Sequence, residues 1–311
     1  IKKSHIFKKR KVNNVLTERN ILIQVDHPFI VNFYYAFQTS KKFYLIMEYI
    51  PGGELFTHIR NNVFNEKDTI LYLAEIALAL DYLHSIGIIY RDLKPENVLF
   101  NAEGHIKLTD FGLSKQISLQ ELNSQTTTFC GTFEYMAPEM ITINNPEIVD
   151  QDESDSSSSS LSSYSFEIDW WSFGILAYEM LFGKTPFYNK NQMKMLKSIV
   201  EREVSFPKNA TLVQKDFISK FLQKDPSVRA DFKNMKSHPF WDNLDFNEVL
   251  EGNVRSSCNP SLLSKNTVNN FDTESITESI GSSISFRKRM IPGFSYIYDG
   301  PTQENIISMD S

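Results

Sequence analysis

The 311-residue sequence predicts an α+β fold in which a strand-bearing N-terminal part precedes a longer, mainly helical part. Three observations carry this reading. Aromatic and β-branched runs at 29–37 and 43–47 are joined by the polar turn Thr39-Ser40-Lys41-Lys42, the pattern of a hairpin. Over 67–87 the apolar residues Leu71, Leu73, Ile76, Ala77, Leu80 and Leu83 recur at helical spacing, and Gly87 supplies a stop. Residues 167–182 are apolar nearly all round, which marks a buried helix.

The remaining elements follow in order. Residues 1–11 are basic and carry no initiator Met, so the chain is expected to begin inside a larger protein. Over 12–25 the residues Val12, Val15, Leu16, Ile21, Leu22 and Val25 keep a period near that of a helix, giving an amphipathic one. A polar break, Glu48-Tyr49-Ile50-Pro51-Gly52-Gly53, separates the hairpin from the helical part, and Glu54 opens the next helix, where an acid suits the positive end of the helix dipole. Between Ile89 and Gly112, apolar runs short enough to be strands alternate with polar groups. The acidic, serine-rich stretch at about 143–163 cannot bury enough apolar surface to order itself and is expected to be a disordered insertion, either a passive solvated loop or a phosphoacceptor. Further surface helices are predicted at 193–200, 212–222 and 232–236, with His238-Pro239-Phe240-Trp241 closing the helical part. Residues 242–311 are rich in Asn, Ser and Thr with isolated aromatics, as suits a tail draped over another surface.

Composition bounds the function. Apolar residues make up 41% and charged residues 23%, ordinary for a globular protein. A net charge of -6 argues against nucleic acid as the main partner. The two cysteines, Cys130 and Cys258, are too few for a disulfide framework, so a reducing compartment, cytoplasmic or nuclear, is expected. No apolar run reaches membrane-spanning length, the start lacks the apolar core of a signal peptide, and the histidines show no metal-ligand spacing.

The chemistry concentrates in Ile89-Tyr90-Arg91-Asp92-Leu93-Lys94-Pro95-Glu96-Asn97 and, beyond a bridge containing Gly104, Asp110-Phe111-Gly112. In-line transfer of a phosphoryl group needs an acceptor hydroxyl held and partly deprotonated, charge on the phosphate oxygens neutralised, and Mg²⁺ clamped by oxygen ligands. Asp92 can accept the hydroxyl proton, Lys94 can touch the moving phosphate, and Asn97 with Asp110 can offer oxygens to the metal. Any one of these acids could be a turn former. Their order, followed by Ala137-Pro138-Glu139, leaves little room for chance.

These motifs resemble the catalytic and metal-binding loops of a eukaryotic protein kinase, and Tyr90 in place of the usual His is similar to the AGC group, relatives of the cyclic-AMP-dependent, B-type and C-type kinases. The resemblance implies a bilobal fold: a partial small lobe over 1–47, a large lobe over 48–241 and an AGC tail over 242–311. It implies ATP and Mg²⁺ as cofactors. The nucleotide would be held by Met47 as gatekeeper, the backbone of Glu48 and Ile50, Glu54 at the ribose, Leu99 under the adenine, and Thr109. Glu18 corresponds to the acid that pairs with the strand-three lysine, although alone it reads as a solvated helix-face residue. Family spacing puts that lysine and the Gly-rich phosphate loop upstream of Ile1, and Lys2 and Lys3 read as surface lysines.

The resemblance also assigns regulation and substrate choice. Thr-Phe-Cys-Gly-Thr at 128–132 looks like an AGC activation loop, making Thr128 the phosphorylation site. A phosphate there adds about two negative charges, which Arg91 and Lys115 would bind, with Asn14 standing where a histidine often joins. Thr132 would rest against Asp92 and Lys94, Glu139 would pair with Arg229, and Asp169 would bond the backbone of the catalytic loop. In the tail, Phe271-Asp272, the Ser/Thr cluster 275–285 and Ile291-Pro292-Gly293-Phe294-Ser295-Tyr296 resemble AGC motifs: Ser295 is the hydrophobic-motif phosphosite, Phe294 fills a small-lobe pocket, and the turn-motif site is Thr277 or Ser279. Lys94 matches the serine/threonine pattern, Leu113 a serine preference, and Glu54 and Glu96 would draw arginines upstream of the acceptor. Lys197, in place of an acid, disfavours an arginine pair directly before the serine. The motifs look nearest to the ribosomal protein S-six kinases and the mitogen- and stress-activated kinases. The expected protein is a monomeric, ATP-dependent serine/threonine kinase with basic protein substrates and an upstream activating kinase; the alternative is a pseudokinase or docking module.

Overall fold

The computed structural model describes residues 1–8, 12–61, 64–117, 132–144, 165–257, 291 and 293–298. The N-terminal lobe begins with α1 (Lys3–Lys8) and α2 (Val12–Gln24), the latter burying Val15, Ile21 and Leu22 as its periodicity predicts. Strands β1 (Phe33–Gln38) and β2 (Phe43–Met47) form the expected antiparallel hairpin. Its turn is fixed because the Thr39 hydroxyl accepts from Lys42 N at 3.1 Å, while Thr39 N donates to Lys42 O at 2.9 Å.

The expected strand over 29–37 divides. Its first residues leave the hairpin and pair with the other lobe: Val31 N donates to Leu108 O at 3.0 Å and Leu108 N to Phe29 O at 2.9 Å. Lys3 departs from its reading as a surface residue. It is buried, its ammonium donating to Gln38 Oε1 at 2.7 Å and lying 4.7 Å from the Phe43 ring centroid, while Lys2 is exposed.

The large lobe is built on two helices. After α3 (Leu55–Arg60), α4 (Glu66–Ser85) starts with Asn65 accepting from Asp68 N at 2.9 Å, buries most of its length, and ends before Gly87 at φ 78°. It delivers the chain to β3 (Ile88–Ile89), the hairpin β4 (Val98–Phe100) with β5 (Ile106–Leu108), and β6 (Lys115–Gln116), which pairs with β3. Next come α5 (Pro138–Asn144), the buried α6 (Glu167–Phe182), α7 (Gln192–Glu201), α8 (Leu212–Phe221), α9 (Phe232–Met235) and α10 (Phe246–Leu250). A Cβ on Gly174 would meet Phe221 and Leu222 at 2.8 Å, so the α6–α8 approach requires glycine there. Of the insertion expected at about 143–163, residues 143–144 close α5 and the others lie outside the described residues, as do Thr128, Phe271, Asp272, Thr277 and Ser279.

The tail returns to the small lobe. Strand β7 (Tyr296–Ile297) pairs antiparallel with β1, extending the hairpin to a sheet of order β2-β1-β7. Phe294 is 1% exposed and packs on Phe43 with centroids 4.7 Å apart, and Arg19 donates to Gly293 O at 2.7 Å and Phe294 O at 3.1 Å. Ile291, where the motif's first Phe would stand, is held through its backbone: Gln38 Nε2 donates to its carbonyl at 2.6 Å and its N–H to Gln38 Oε1 at 3.0 Å. Ser295 is exposed.

Candidate active site

The catalytic loop is held from beneath by one buried carboxylate. Asp169, in the first turn of α6, accepts from Tyr90 N at 2.8 Å and Arg91 N at 2.7 Å, and His84 Nε2 lies 2.8 Å from its Oδ2. The two backbone bonds tie Asp169 to Tyr90 and Arg91. His84 was not singled out in the sequence, because its partner lies 85 positions away. Arg91 takes the left-handed φ of 67°, a strain that the surrounding bonds stabilise.

Above this base the four chemical groups converge. Asp92 is 5% exposed, and its Oδ2 accepts from Lys94 Nζ and from Asn97 Nδ2, each at 2.8 Å. Asn97 Nδ2 also donates to Asp92 O at 2.9 Å, so its Oδ1 is left as an acceptor. The carbonyl of Asn97 accepts Thr109 N at 2.9 Å and the Thr109 hydroxyl at 3.2 Å, which ties the catalytic loop to the residue before Asp110. Tyr90 hydroxyl donates to Thr109 O, and its ring meets Phe111 edge-on at 5.3 Å. Asp110 sits at φ 56° with its side chain accepting Gly112 N at 3.2 Å, and the residue is exposed to the cleft.

Electrostatics follow burial. Burial pushes the Asp92 carboxyl up, against the hydrogen bond and charge of Lys94 and the hydrogen bond from Asn97. Glu18 is pushed up to about 7, first by burial and then by the Asp110 charge. A methyl group on Gly112 would stand 3.1 Å from Asp110 Oδ1 and 3.9 Å from Glu18 Oε2, so both carboxylates flank that glycine. The Tyr90 phenol is raised by burial and by Asp92, Asp110 and Asp169.

The donor set suits Mg²⁺: an amide oxygen and a carboxylate, hard and few, leave coordination positions for phosphate and water. Among the described residues no cluster of three His, Cys, Asp or Glu builds a closed metal cage. The nucleotide side is shaped by Gly52, whose N donates to Phe100 O at 2.7 Å; a Cβ there would stand 2.5 Å from that oxygen. Phe100 N donates to Gly53 O at 3.0 Å and Glu54 bridges Leu99, so Leu99 lies beside the break 48–53. Met47 ends β2, with Glu48 and Ile50 following outside any helix or strand. Glu54 is the N-cap residue of α3 and makes no side-chain cap bond.

Thr132 lines a small recess with Arg91 and Asp92. The Arg91 guanidinium donates to Leu113 O at 2.5 Å and Ser114 O at 3.4 Å. Lys115 opens β6, and its expected partner Thr128 lies outside the described residues. Glu139 and Arg229 form a buried bidentate pair at 2.6 and 2.9 Å. Sequence reasoning missed a further acid: Glu179 accepts from the Tyr135 hydroxyl, and burial together with Glu134 and Glu96 raises its carboxyl. Glu54 and Glu96 are exposed, and Glu96 lies within electrostatic reach of Glu179.

A bilobal molecule with a base-amide-carboxylate set at the lobe junction is a protein kinase in its architecture. The protein kinase domain family model matches residues 1–241, and the chain belongs to that family, in its AGC group. It is 39% identical over 290 residues to serine/threonine-protein kinase Sgk1 of Homo sapiens, a match covering 91% of this chain and 63% of that protein. Similarity to the RAC family serine/threonine-protein kinase homolog of Dictyostelium discoideum is 41% over 264 residues, covering 84% of this chain and 55% of that protein. The chain therefore spans well under the full length of the relatives it matches.

Proposed function

We propose that the protein containing this chain is a serine/threonine kinase that transfers the γ-phosphoryl group of ATP to basic protein substrates. The observation that carries the reading is the coupling of Asp92 to Asp110 through Asn97, whose side chain orients the first and whose carbonyl anchors the residue before the second. Bound ATP and Mg²⁺ supply the phosphoryl group and the charge neutralisation. Asp92, held by Lys94 and Asn97, orients the acceptor hydroxyl and takes up its proton. Lys94 faces the transferred phosphate, and the oxygens of Asn97 and Asp110 hold the metal. Glu48 and Ile50 offer backbone groups to the base, with Met47, Leu99 and Thr109 around it and Glu54 at the ribose. The acidic residues Glu54, Glu96 and Glu179 favour arginines before the acceptor, and Thr132 supports the acceptor side.

In this reading residues 1–47 belong to the small lobe, 48–241 to the large lobe and 242–311 to a regulatory tail. Phosphorylation of Thr128, bound by Arg91 and Lys115, and of Ser295 regulates a monomer of the cytoplasm or nucleus, with Thr277 or Ser279 as the turn-motif site. The test is phosphate transfer from ATP to an Arg-x-x-Ser peptide by the activated full-length protein. Transfer abolished by Asp110→Ala, with the thermal transition kept, is expected; no transfer by the wild type overturns the proposal. That result would favour a docking module without catalysis.

A further inference from the structure

Lys107 occupies a position that the phosphotransfer roles do not use. It is the middle residue of β5, three residues before Asp110, and it is only 7% exposed. A buried ammonium is costly unless paired, and here it is paired with the first residue of the segment that joins the lobes. Its Nζ lies 2.9 Å from Glu48 Oε1 and 3.3 Å from Oε2, and it donates to Ile30 O at 3.3 Å.

Glu48 is fixed from a second side. Asn32 Nδ2 donates to Glu48 Oε2 at 2.6 Å, while Glu48 N donates to Asn32 O at 3.0 Å. The segment that carries Ile30 and Asn32 is itself laced to β5 by the Val31 and Leu108 backbone bonds. A closed loop of contacts results: Glu48, Asn32, the 29–31 segment, β5, Lys107, and back to Glu48. One end of that loop presents the backbone proposed to hold the base. The other end runs directly through Leu108 and Thr109 to Asp110, whose left-handed backbone must be held by its surroundings.

We infer that Lys107 is a positioning residue that sets the separation between the base-binding hinge at Glu48 and the metal-binding Asp110. The inference rests on the nucleotide site proposed above and adds to it the device that keeps its two halves in register. Adenosine, which ends at the ribose, senses that register far less than MgATP, which reaches the metal-binding Asp110 as well.

The difference gives the test. Dissociation constants for adenosine and for MgATP are measured with the full-length protein, wild type and variant, beside phosphate transfer to the peptide. Lys107→Met should weaken MgATP about tenfold and leave adenosine within about twofold, since small misplacements between sites cost this much or more. Lys107→Arg, which keeps the charge and can reach both Glu48 oxygens, should restore most of the MgATP affinity. Should Lys107→Met fold poorly because Glu48 is left unpaired, Lys107→Met with Glu48→Gln removes both charges and should show the same selective loss. Equal weakening of both ligands would mean that the pair merely supports the hinge, and no weakening of either would mean that the register is set elsewhere; each result overturns the inference. A wild type that binds both ligands and shows the selective loss on substitution, yet transfers no phosphate, overturns the phosphotransfer reading and leaves this inference standing.

Discussion

The two lobes differ in where their stabilising contacts come from. The large lobe closes on itself: α6 packs on α8 through Phe173, Phe217 and Phe221, and the Glu139–Arg229 pair is buried beside Trp171. The small lobe borrows. Its third strand, the ring against Phe43 and the acceptors for Arg19 all come from residues 293–297, more than 250 positions away in the chain. The large lobe thus draws its described contacts from residues 48–257, with Phe246 against Trp241 and Ser257 on Asp68, whereas the small lobe draws on the distant segment 293–297 as well. A reaction that needs groups from both lobes draws on that segment too, and the tail becomes a natural place for control.

The largest effect is expected where the self-contained lobe is opened. Arg229→Ala leaves Glu139 buried without its partner and should cost about 3–5 kcal/mol in denaturant unfolding. Protection of α4 and α6 amides in hydrogen exchange should fall together. Loss confined to the neighbourhood of Arg229 would break the comparison, because the lobe would then not be one cooperative unit.

Removing the borrowed contact should act on the other side. Phe294→Ala empties a fully buried aromatic position, worth about 3–4 kcal/mol for such truncations. The loss should appear as faster exchange in β1 and β2 and as reduced phosphate transfer, with α4 and α6 unchanged. Equal loss of protection in α6 would show that the tail supports the whole molecule.

The same contrast explains what the sequence disclosed. Asp92, Lys94, Asn97 and Asp110 were legible because chemistry and spacing lie within one short stretch, and α4 and α6 because periodicity is local. Phe294 was legible only through the resemblance of its tail motif. The Lys107–Glu48 pair, His84 under Asp169 and Glu179 under Tyr135 carried no such signal, since each is an ordinary residue made special by a partner at least 44 positions away. The division of 29–37 between two sheets was hidden for a related reason: both halves have the same strand-like composition, and only the fold decides which neighbour each one meets.

The joint between the lobes offers a pH test of intermediate size. His27 stacks on Tyr82 of α4 at 5.0 Å, and its Nδ1 accepts from Phe29 N at 3.2 Å, which requires that nitrogen to be unprotonated. Burial, with Lys107 adding to it, lowers the ring to about 4. A histidine whose folded pKa is depressed favours the folded state fully above its unfolded value of about 6.5. That contribution is lost as pH falls from there to about 4, on the order of 3 kcal/mol in total. His27→Gln should flatten this part of the stability profile. An unchanged acid limb would place the joint's pH sensitivity in another group.

The smallest effect serves as the control for locality. Thr211 and Gln214 form a reciprocal cap at the start of α8, Gln214 N donating to Thr211 Oγ1 at 3.1 Å and Thr211 N to Gln214 Oε1 at 2.9 Å. Thr211→Ala removes one half of this exchange, leaves the core untouched, and should cost about 1 kcal/mol. Because α8 packs on α6, the loss should spread through large-lobe amides as a small uniform decrease in protection. The tail contacts of Phe294 and Arg19 do not involve α8, so β1 and β2 should exchange at wild-type rates. Faster exchange in those strands would mean that large-lobe stability is transmitted to the small lobe without the tail, and the borrowed contacts would then be a supplement to that coupling.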